Sequence, residues 1–162
     1  MSDFTNRIGF GYDTHKLELG QELVIGGVKI SHEAGLIGHS DADVLVHAII
    51  DALLGASSLG DIGMFFPDTN PSYKNISSLK LLKTVVKILK KKNFRIINLD
   101  STIVAQSPKL TSFFAKMKEN IAESCEIPSI NINIKAKTEE GLGFTGKKEG
   151  ISAYAVALLE LN

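Results

Sequence analysis

Asp13 and His15 flank Thr14 at the end of a segment, Ile8 to His15, in which apolar residues alternate with glycines. In an extended chain, side chains two positions apart point the same way. A carboxylate and an imidazole therefore converge here, either as a surface acid–histidine pair or as half of a metal site. Asp43, His47 and Asp51 follow at i, i+4, i+8, a polar stripe on a stretch otherwise made of Val44, Leu45, Ala48, Ile49, Ala52 and Leu53. Such a stripe must meet water, a partner or a metal. It is read either as an exposed face with acid–histidine attraction or as the second half of the same site. Two imidazoles and one carboxylate, should His47 meet Asp13 and His15, leave the open fourth position of a catalytic zinc. Asp51, or another group, would then orient an imidazole from behind.

His39-Ser40 precedes this stretch, where a helix N-terminus with its free N–H groups suits a phosphate; the plain alternative is a loop histidine beside a capping serine. Residues 57–76 are irregular, with Asp61-Ile62-Gly63 and Phe66-Pro67-Asp68-Thr69-Asn70 among them. A loop this long in a compact domain is a binding loop, a lid or a mobile surface segment. Gly141-Leu142-Gly143-Phe144-Thr145-Gly146 spells GxGxxG, but too close to the chain's end to supply the later acidic residue of a dinucleotide site. A turn presenting N–H groups to an anion stays open. The basic run Lys74, Lys80, Lys83, Lys87, Lys90, Lys91, Lys92 and Arg95 fits the solvated face of a helix better than a nucleic-acid surface, because no aromatics interleave it.

The elements that must position these residues follow from periodicity. Residues 6–12 read as a strand, Leu23–Ile25 and Val28–Ile30 as a hairpin around Gly26-Gly27, and residues 31–40 as loop. A helix is expected from Asp41 to Leu54, with Ser40 as cap and Asp43 as capping acid. Another runs from Ser77 or Ser78 to Lys92 on an apolar face of Leu79, Leu82, Val86 and Leu89. Arg95–Ala105 reads as a strand, and Ser107-Pro108 as the start of a helix burying Leu110, Phe113, Phe114, Met117 and Ile121. Ile130 to Ile134 alternates as a strand, and Ile151–Leu161 closes the chain as a last helix. This is an α/β chain of the α+β type: one domain over residues 6–162 after a tail of residues 1–5. A mixed four-stranded sheet carries helices on one face, plus the small hairpin. Asn131 and Asn133 imply that the other face is partly polar or packs on a partner subunit.

The chain has 162 residues, 44% apolar and 22% charged, with 18 basic and 18 acidic groups, so no net field draws it to nucleic acid or an anionic membrane. Cys125 is the single cysteine, which excludes an intrachain disulfide and a cysteine zinc cage and fits a reducing compartment. No apolar run is long enough to span a membrane, and the first residues lack the pattern of a signal peptide. A cytoplasmic protein is expected.

Taken in order, several short motifs resemble one family. They are Ile8-Gly9-x-Gly11-x-Asp13-x-His15, Gly26-Gly27-Val28, Gly38-His39-Ser40-Asp41-Ala42-Asp43, His47, Asp51-Ala52-Leu53-Leu54-Gly55, Gly60-Asp61-Ile62-Gly63, Phe66-Pro67-Asp68-Thr69, Ala105-Gln106-x-Pro108-Lys109 and Leu142-Gly143-Phe144-Thr145-Gly146. The chain is similar, over nearly its whole length, to the 2-C-methyl-D-erythritol 2,4-cyclodiphosphate synthases. The resemblance implies a homotrimer with active sites between subunits. It also implies a lyase of the non-mevalonate isoprenoid pathway, which closes 4-diphosphocytidyl-2-C-methyl-D-erythritol 2-phosphate into a cyclic diphosphate and releases CMP. Asp13, His15 and His47 match the zinc ligands, and Glu140 matches the contact to a second ion, Mg²⁺ or Mn²⁺. His39 and Thr138 match residues that stabilise the transition state, and Ser40 a phosphate contact. Asp61, Ile62, Gly63, Phe66, Pro67, Asp68, Thr69 and Asn70 match the segments around the methylerythritol unit. Ala105, Gln106, Ser107, Pro108, Lys109, Leu110 and Thr111 match the cytidine pocket, with Lys137, Thr138, Glu139 and Glu140. Phe144 and Lys147 complete the substrate-contacting set. Lys147 stands where Arg is common, in a segment that in the family can touch an isoprenoid diphosphate on the trimer axis; Lys137 and Glu139 stand where Thr is common. The resemblance leaves as alternatives a zinc-dependent phosphohydrolase or an isoprenoid-diphosphate binding protein on the same scaffold.

Overall fold

The computed structural model describes residues 5–161. The chain opens on β1 (Asn6–Leu19), a hairpin of β2 (Leu23–Ile25) and β3 (Val28–Ile30), and the short β4 (Ala34–Leu36). Helix α1 (Val44–Ala56), the one-turn α2 (Ile62–Phe65) and α3 (Ser78–Lys91) come next. Then follow β5 (Phe94–Val104), α4 (Phe114–Cys125), β6 (Ile132–Lys137), the one-turn α5 (Gly143–Gly146) and β7 (Gly150–Leu161). The main sheet has the order β4-β1-β7-β5-β6, and β2 and β3 form a separate ribbon. Only the β5–β6 pair is parallel; the other pairs are antiparallel. The single-domain α+β architecture with a mixed sheet is therefore as the sequence implies, but the sheet has five strands, not four.

The largest departure is β7. Residues 151–161 were expected as a helix, yet they form the middle strand. Ala153, Ala155, Ala157 and Leu159, all wholly or almost wholly buried, point to one face, while Tyr154 and Val156 point to the other. Alanine and leucine favour helix locally, and the pairing with β1 and β5 on both sides overrides that preference. The alanines are small because α1 lies directly over them. The same closeness explains two glycines of β1: a Cβ on Gly9 would come within 1.9 Å of the Ala52 carbonyl oxygen, and one on Gly11 within 1.9 Å of the Ala48 carbonyl oxygen. Helix α1 is buried nearly all round, between the sheet and α3.

Three smaller corrections concern element ends. Helix α1 starts at Val44 rather than Asp41, because Ala42 takes a left-handed turn (φ 54°) and Asp43, not Ser40, is the N-cap, accepting from the Val46 N–H. Part of the expected loop 31–40 pairs with β1 as β4. Ser107–Pro108 is a cis peptide in a turn and does not begin a helix. The Ala105 N–H still donates to the Lys137 carbonyl oxygen at 3.0 Å, so the chain leaves the sheet late, and α4 begins only at Phe114.

All the long helices cover one face of the sheet. The other face carries Ile8, Phe10, Tyr12, Tyr154 and Val156, every one of them exposed, with Tyr12 and Tyr154 rings 5.0 Å apart. Among the described residues no helix is long and apolar enough to cross a membrane.

Candidate active site

Asp13 and His15 lie on the face of β1 that looks toward α1, in register with the Gly9 and Gly11 contacts. His47, one turn into α1, meets them. Asp13 Oδ2 stands 2.9 Å from His47 Nδ1 and 2.9 Å from His15 Nε2, and the two ring nitrogens are 3.1 Å apart. The side chains are 26%, 17% and 11% exposed for Asp13, His15 and His47. This is the one group of three His, Cys, Asp or Glu side chains gathered tightly enough to hold a metal ion among the described residues.

The donor set fits such an ion. Tetrahedral ligands about 2.1 Å from zinc sit roughly 3.4 Å from one another, close to the spacings found. Behind His15, Nδ1 lies 3.0 Å from the Ile37 carbonyl oxygen. That oxygen can only accept, so Nδ1 carries a proton and Nε2 is the nitrogen presented to the trio. Burial pulls the Asp13 carboxyl up, but hydrogen bonds and attraction to His15 and His47 outweigh it and hold it at about 2. For His15, burial pulls the other way, and the Asp13 carboxylate raises its pKa above the usual histidine value. An ionised oxygen and two imidazoles crowd one point, where a divalent cation would take a lone pair from each.

The other acids of the polar stripe do different work. Asp43 is fully buried and accepts from the N–H groups of Gly26 at 2.9 Å, Gly27 at 2.6 Å and Val46 at 3.1 Å, so it locks the β2–β3 turn onto the start of α1. Asp51 accepts from the Ile62 N–H at 2.8 Å and steadies the following loop; it does not orient an imidazole. Burial raises its pKa, ahead of the nearby Asp61 and Asp13.

Of four cavities between about 270 and 510 Å³, the one of about 510 Å³ opens beside the trio. His15, His39, Ser40, His47, Ile62, Gly63, Phe66, Pro67, Asp68 and Thr69 line it. His39 Nε2 lies 3.1 Å from the Asn70 carbonyl oxygen, and the Phe66 and Tyr73 rings meet edge to face at 5.4 Å, so the irregular loop is a packed wall. Two residues of this segment do not line the cavity: the Asp61 carboxylate caps α2 by accepting from the Met64 N–H at 3.0 Å, and Asn70 Oδ1 accepts from the Ser72 N–H at 3.0 Å.

A second, smaller hollow of about 230 Å³ lies at the other side of the sheet, lined by Ala105, Gln106, Pro108, Lys109, Leu110, Thr111, Lys137 and Thr138. Thr138 Oγ1 donates to Glu140 Oε1 at 2.6 Å, and Glu140 has φ 51°. Glu139 turns away and accepts from the buried Thr145 hydroxyl. Phe144 lines a separate hollow with Thr14, His15 and Lys16, and Lys147 closes α5 as its C-cap. Within one chain the two halves do not meet. Thr14 pairs with Ser152, Ser152 with Val104 and Val104 with Lys137. The halves are thus three strand spacings apart, roughly 14 Å.

Sequence reasoning missed Ser78 and Asp41. Ser78 Oγ lies 2.8 Å from His47 Nε2 and donates its proton to Asp41. These residues are 37 positions apart, and no spacing rule joins them.

Comparison with known proteins agrees with this arrangement. A 2-C-methyl-D-erythritol 2,4-cyclodiphosphate synthase from Caldicellulosiruptor bescii is 58% identical over 153 residues, which is 94% of this chain and 98% of the relative. The IspF of Plasmodium falciparum, solved as a CDP complex, superposes with a TM-score of 0.86 at 35% identity, covering 99% of both chains. The bifunctional IspDF of Campylobacter jejuni gives a TM-score of 0.94 at 41% identity; 99% of this chain matches, and it spans 43% of that longer one. The profile of the YgbB family matches residues 6–160. With the fold and nearly the full length in agreement, this chain belongs to the YgbB family.

Proposed function

We propose that this protein is a 2-C-methyl-D-erythritol 2,4-cyclodiphosphate synthase. It closes 4-diphosphocytidyl-2-C-methyl-D-erythritol 2-phosphate into the cyclic diphosphate and releases CMP, a step of the non-mevalonate route to isoprenoids. The observation that carries this reading is the convergence of Asp13, His15 and His47 on one point in the wall of the largest of these cavities. A zinc ion held by these three would polarise a phosphate oxygen as a Lewis acid.

The chain's own residues then have a positional task. An oxygen of the 2-phosphate forms a bond to the β-phosphorus, the bond from that phosphorus to the bridging oxygen breaks, and CMP leaves with the bridging oxygen. The attacking phosphate is already ionised near neutral pH, so no strong base is needed. Holding nucleophile and electrophile in reactive geometry can contribute on the order of 7–11 kcal/mol. Ile62, Gly63 and Phe66 to Asn70 would pack the methylerythritol unit, with Asp61 beside it. Ser40 and His39 would donate to phosphate oxygens. Ala105 to Thr111 with Lys137 would seat the cytidine, and Thr138 would hold the diphosphate from that side. Glu140 would anchor a second ion, Mg²⁺ or Mn²⁺, the remaining ligands being phosphate oxygens and water as is usual for Mg²⁺.

The roughly 14 Å between the two halves supports a homotrimer in which a neighbour's nucleotide hollow faces this chain's metal trio. The exposed apolar sheet face supports the same assembly, with the domain comprising residues 6–162 and Lys147 near an axial isoprenoid diphosphate. The setting would be the cytoplasm. Phosphorus NMR of the cytidyl substrate with purified protein, Zn²⁺ and Mg²⁺ tests the reaction. Two coupled ring phosphates plus CMP are expected. CMP with a linear product would make the protein a phosphohydrolase, and zinc binding with no turnover would make it a binding protein.

A further inference from the structure

The two imidazoles of the trio present opposite nitrogens, His15 its Nε2 and His47 its Nδ1. Each choice is set by what stands behind the ring. For His15 it is the Ile37 carbonyl oxygen. For His47 it is a hydroxyl, which could either donate or accept, so something else must fix its sense.

That something is Asp41. Ser78 is fully buried at the first position of α3, and Asp41 grips it with both carboxylate oxygens. Oδ1 accepts the Ser78 hydroxyl proton, and Oδ2 accepts the Ser78 N–H at 3.0 Å. A serine hydroxyl has one proton. With that proton on Asp41, Ser78 Oγ faces His47 Nε2, 2.8 Å away, with a lone pair only. Nε2 must then be an N–H, and in the neutral ring Nδ1 is the nitrogen left for a metal beside Asp13 Oδ2. Ser40 Oγ, 3.0 Å from the same Nε2, can accept alongside.

The geometry points to Asp41 and Ser78 as positioning residues: an Asp41–Ser78–His47 relay that holds His47 in the tautomer able to ligate a divalent cation through Nδ1. This rests on the reading of Asp13, His15 and His47 as a metal site, and not on which reaction the metal serves. Outer partners of this kind typically govern metal affinity by about 10- to 100-fold.

Asp41→Asn is the informative change. A carboxamide offers one acceptor where Ser78 needs two. With its NH₂ donating to Ser78 Oγ, the hydroxyl proton turns to His47 Nε2 and drives the ring proton onto Nδ1, into the metal position. Zinc affinity, read by competition with a chromogenic chelator, should fall about 10- to 100-fold. Ser78→Ala should cost less, because Ser40 still accepts from Nε2. In the Ser78→Ala background Asp41→Asn should change affinity by no more than about twofold, since the relay is already cut. In the zinc-loaded native protein the His47 Nε2 proton should appear as a slowly exchanging NMR signal, and it should exchange faster in Ser78→Ala, where Ser40 alone accepts from it. Native affinity in both single variants would overturn the relay. So would losses that multiply independently, or a native Nε2 proton that exchanges freely. The native NMR measurement needs no variant to fold. A relay that behaves as expected in a protein that fails the cyclisation assay would stand while the assigned reaction fell.

Discussion

The half proposed to hold the metal and the half proposed to seat the nucleotide are built by different means. Asp13, His15 and His47 sit on the interior of a long strand and a buried helix that touch without a Cβ between them at Gly9 and Gly11. The Gln106–Thr111 and Lys137–Glu140 hollow is made of loops at the sheet's rim. Its bonds are few: Gln106 Oε1 accepts from the Gly141 N–H at 3.3 Å, and the Thr138 hydroxyl reaches Glu140. The lesson is one of division of labour. A metal trio must be held to tenths of an ångström before any ligand arrives, whereas a base pocket can be completed by its ligand or by a neighbouring chain.

The sharpest way to break that contrast is His47→Ala. It should abolish the zinc-induced rise in melting temperature and lower turnover at least about 1000-fold, since several kcal/mol of charge stabilisation are lost. The zinc-free protein should melt near the native temperature, because removing one of three crowded polar groups relieves the fold. A large loss of zinc-free stability would mean that the trio is structural. Gly11→Ala comes next. A methyl pressed against the Ala48 carbonyl oxygen should lower stability by about 3 kcal/mol in denaturant titration and weaken zinc binding through a displaced strand. Unchanged stability would show that the two elements are not in contact as described.

The nucleotide half should respond more gently. Gln106→Ala should raise KM for the cytidyl substrate about fivefold, the equivalent of one ordinary hydrogen bond, with little change in melting. A fall in stability as large as that of Gly11→Ala would erase the distinction between the halves. The smallest effect belongs to the edge strand. Burial alone would raise the Asp100 pKa, but Lys135 and Asn133 hold it below the usual carboxylate range. A lowered folded-state pKa means stability present above the unfolded value, about 3.9, and lost as pH falls through the folded value. Lys135→Ala should therefore cost no more than about 0.5 kcal/mol at neutral pH, because the pair is exposed and screened. The difference should vanish in acid titrations, and one that persisted there would assign it to packing instead.

How far the sequence carried the site follows the same division. Asp13 and His15 are legible because strand alternation is a strict period of two, and His47 because a polar residue on so apolar a helix demands a partner. Asp43 and Asp51 share that spacing, yet they serve as a buried cap and a loop anchor; periodicity gives a face, not an occupant. The last strand was not legible. Its alanines favour helix until β1 and β5 are in place, and only the close approach of α1 explains their size. Ser78 and Asp41 leave no local signal at all, because their relation is made by the start of α3 meeting the turn before α1.

The outer sheet face has a consequence for how copies of this chain can stick. Its apolar residues occupy the middle of the sheet, on β1 and β7, while the free edges are a three-residue β4 and a β6 carrying Lys135 and Lys137. Short strands and lysines are what keep a sheet edge from recruiting further strands. In the proposed assembly, adhesion would therefore be directed across the face and denied along the edge, so that contacts between copies close on themselves rather than grow into a fibril.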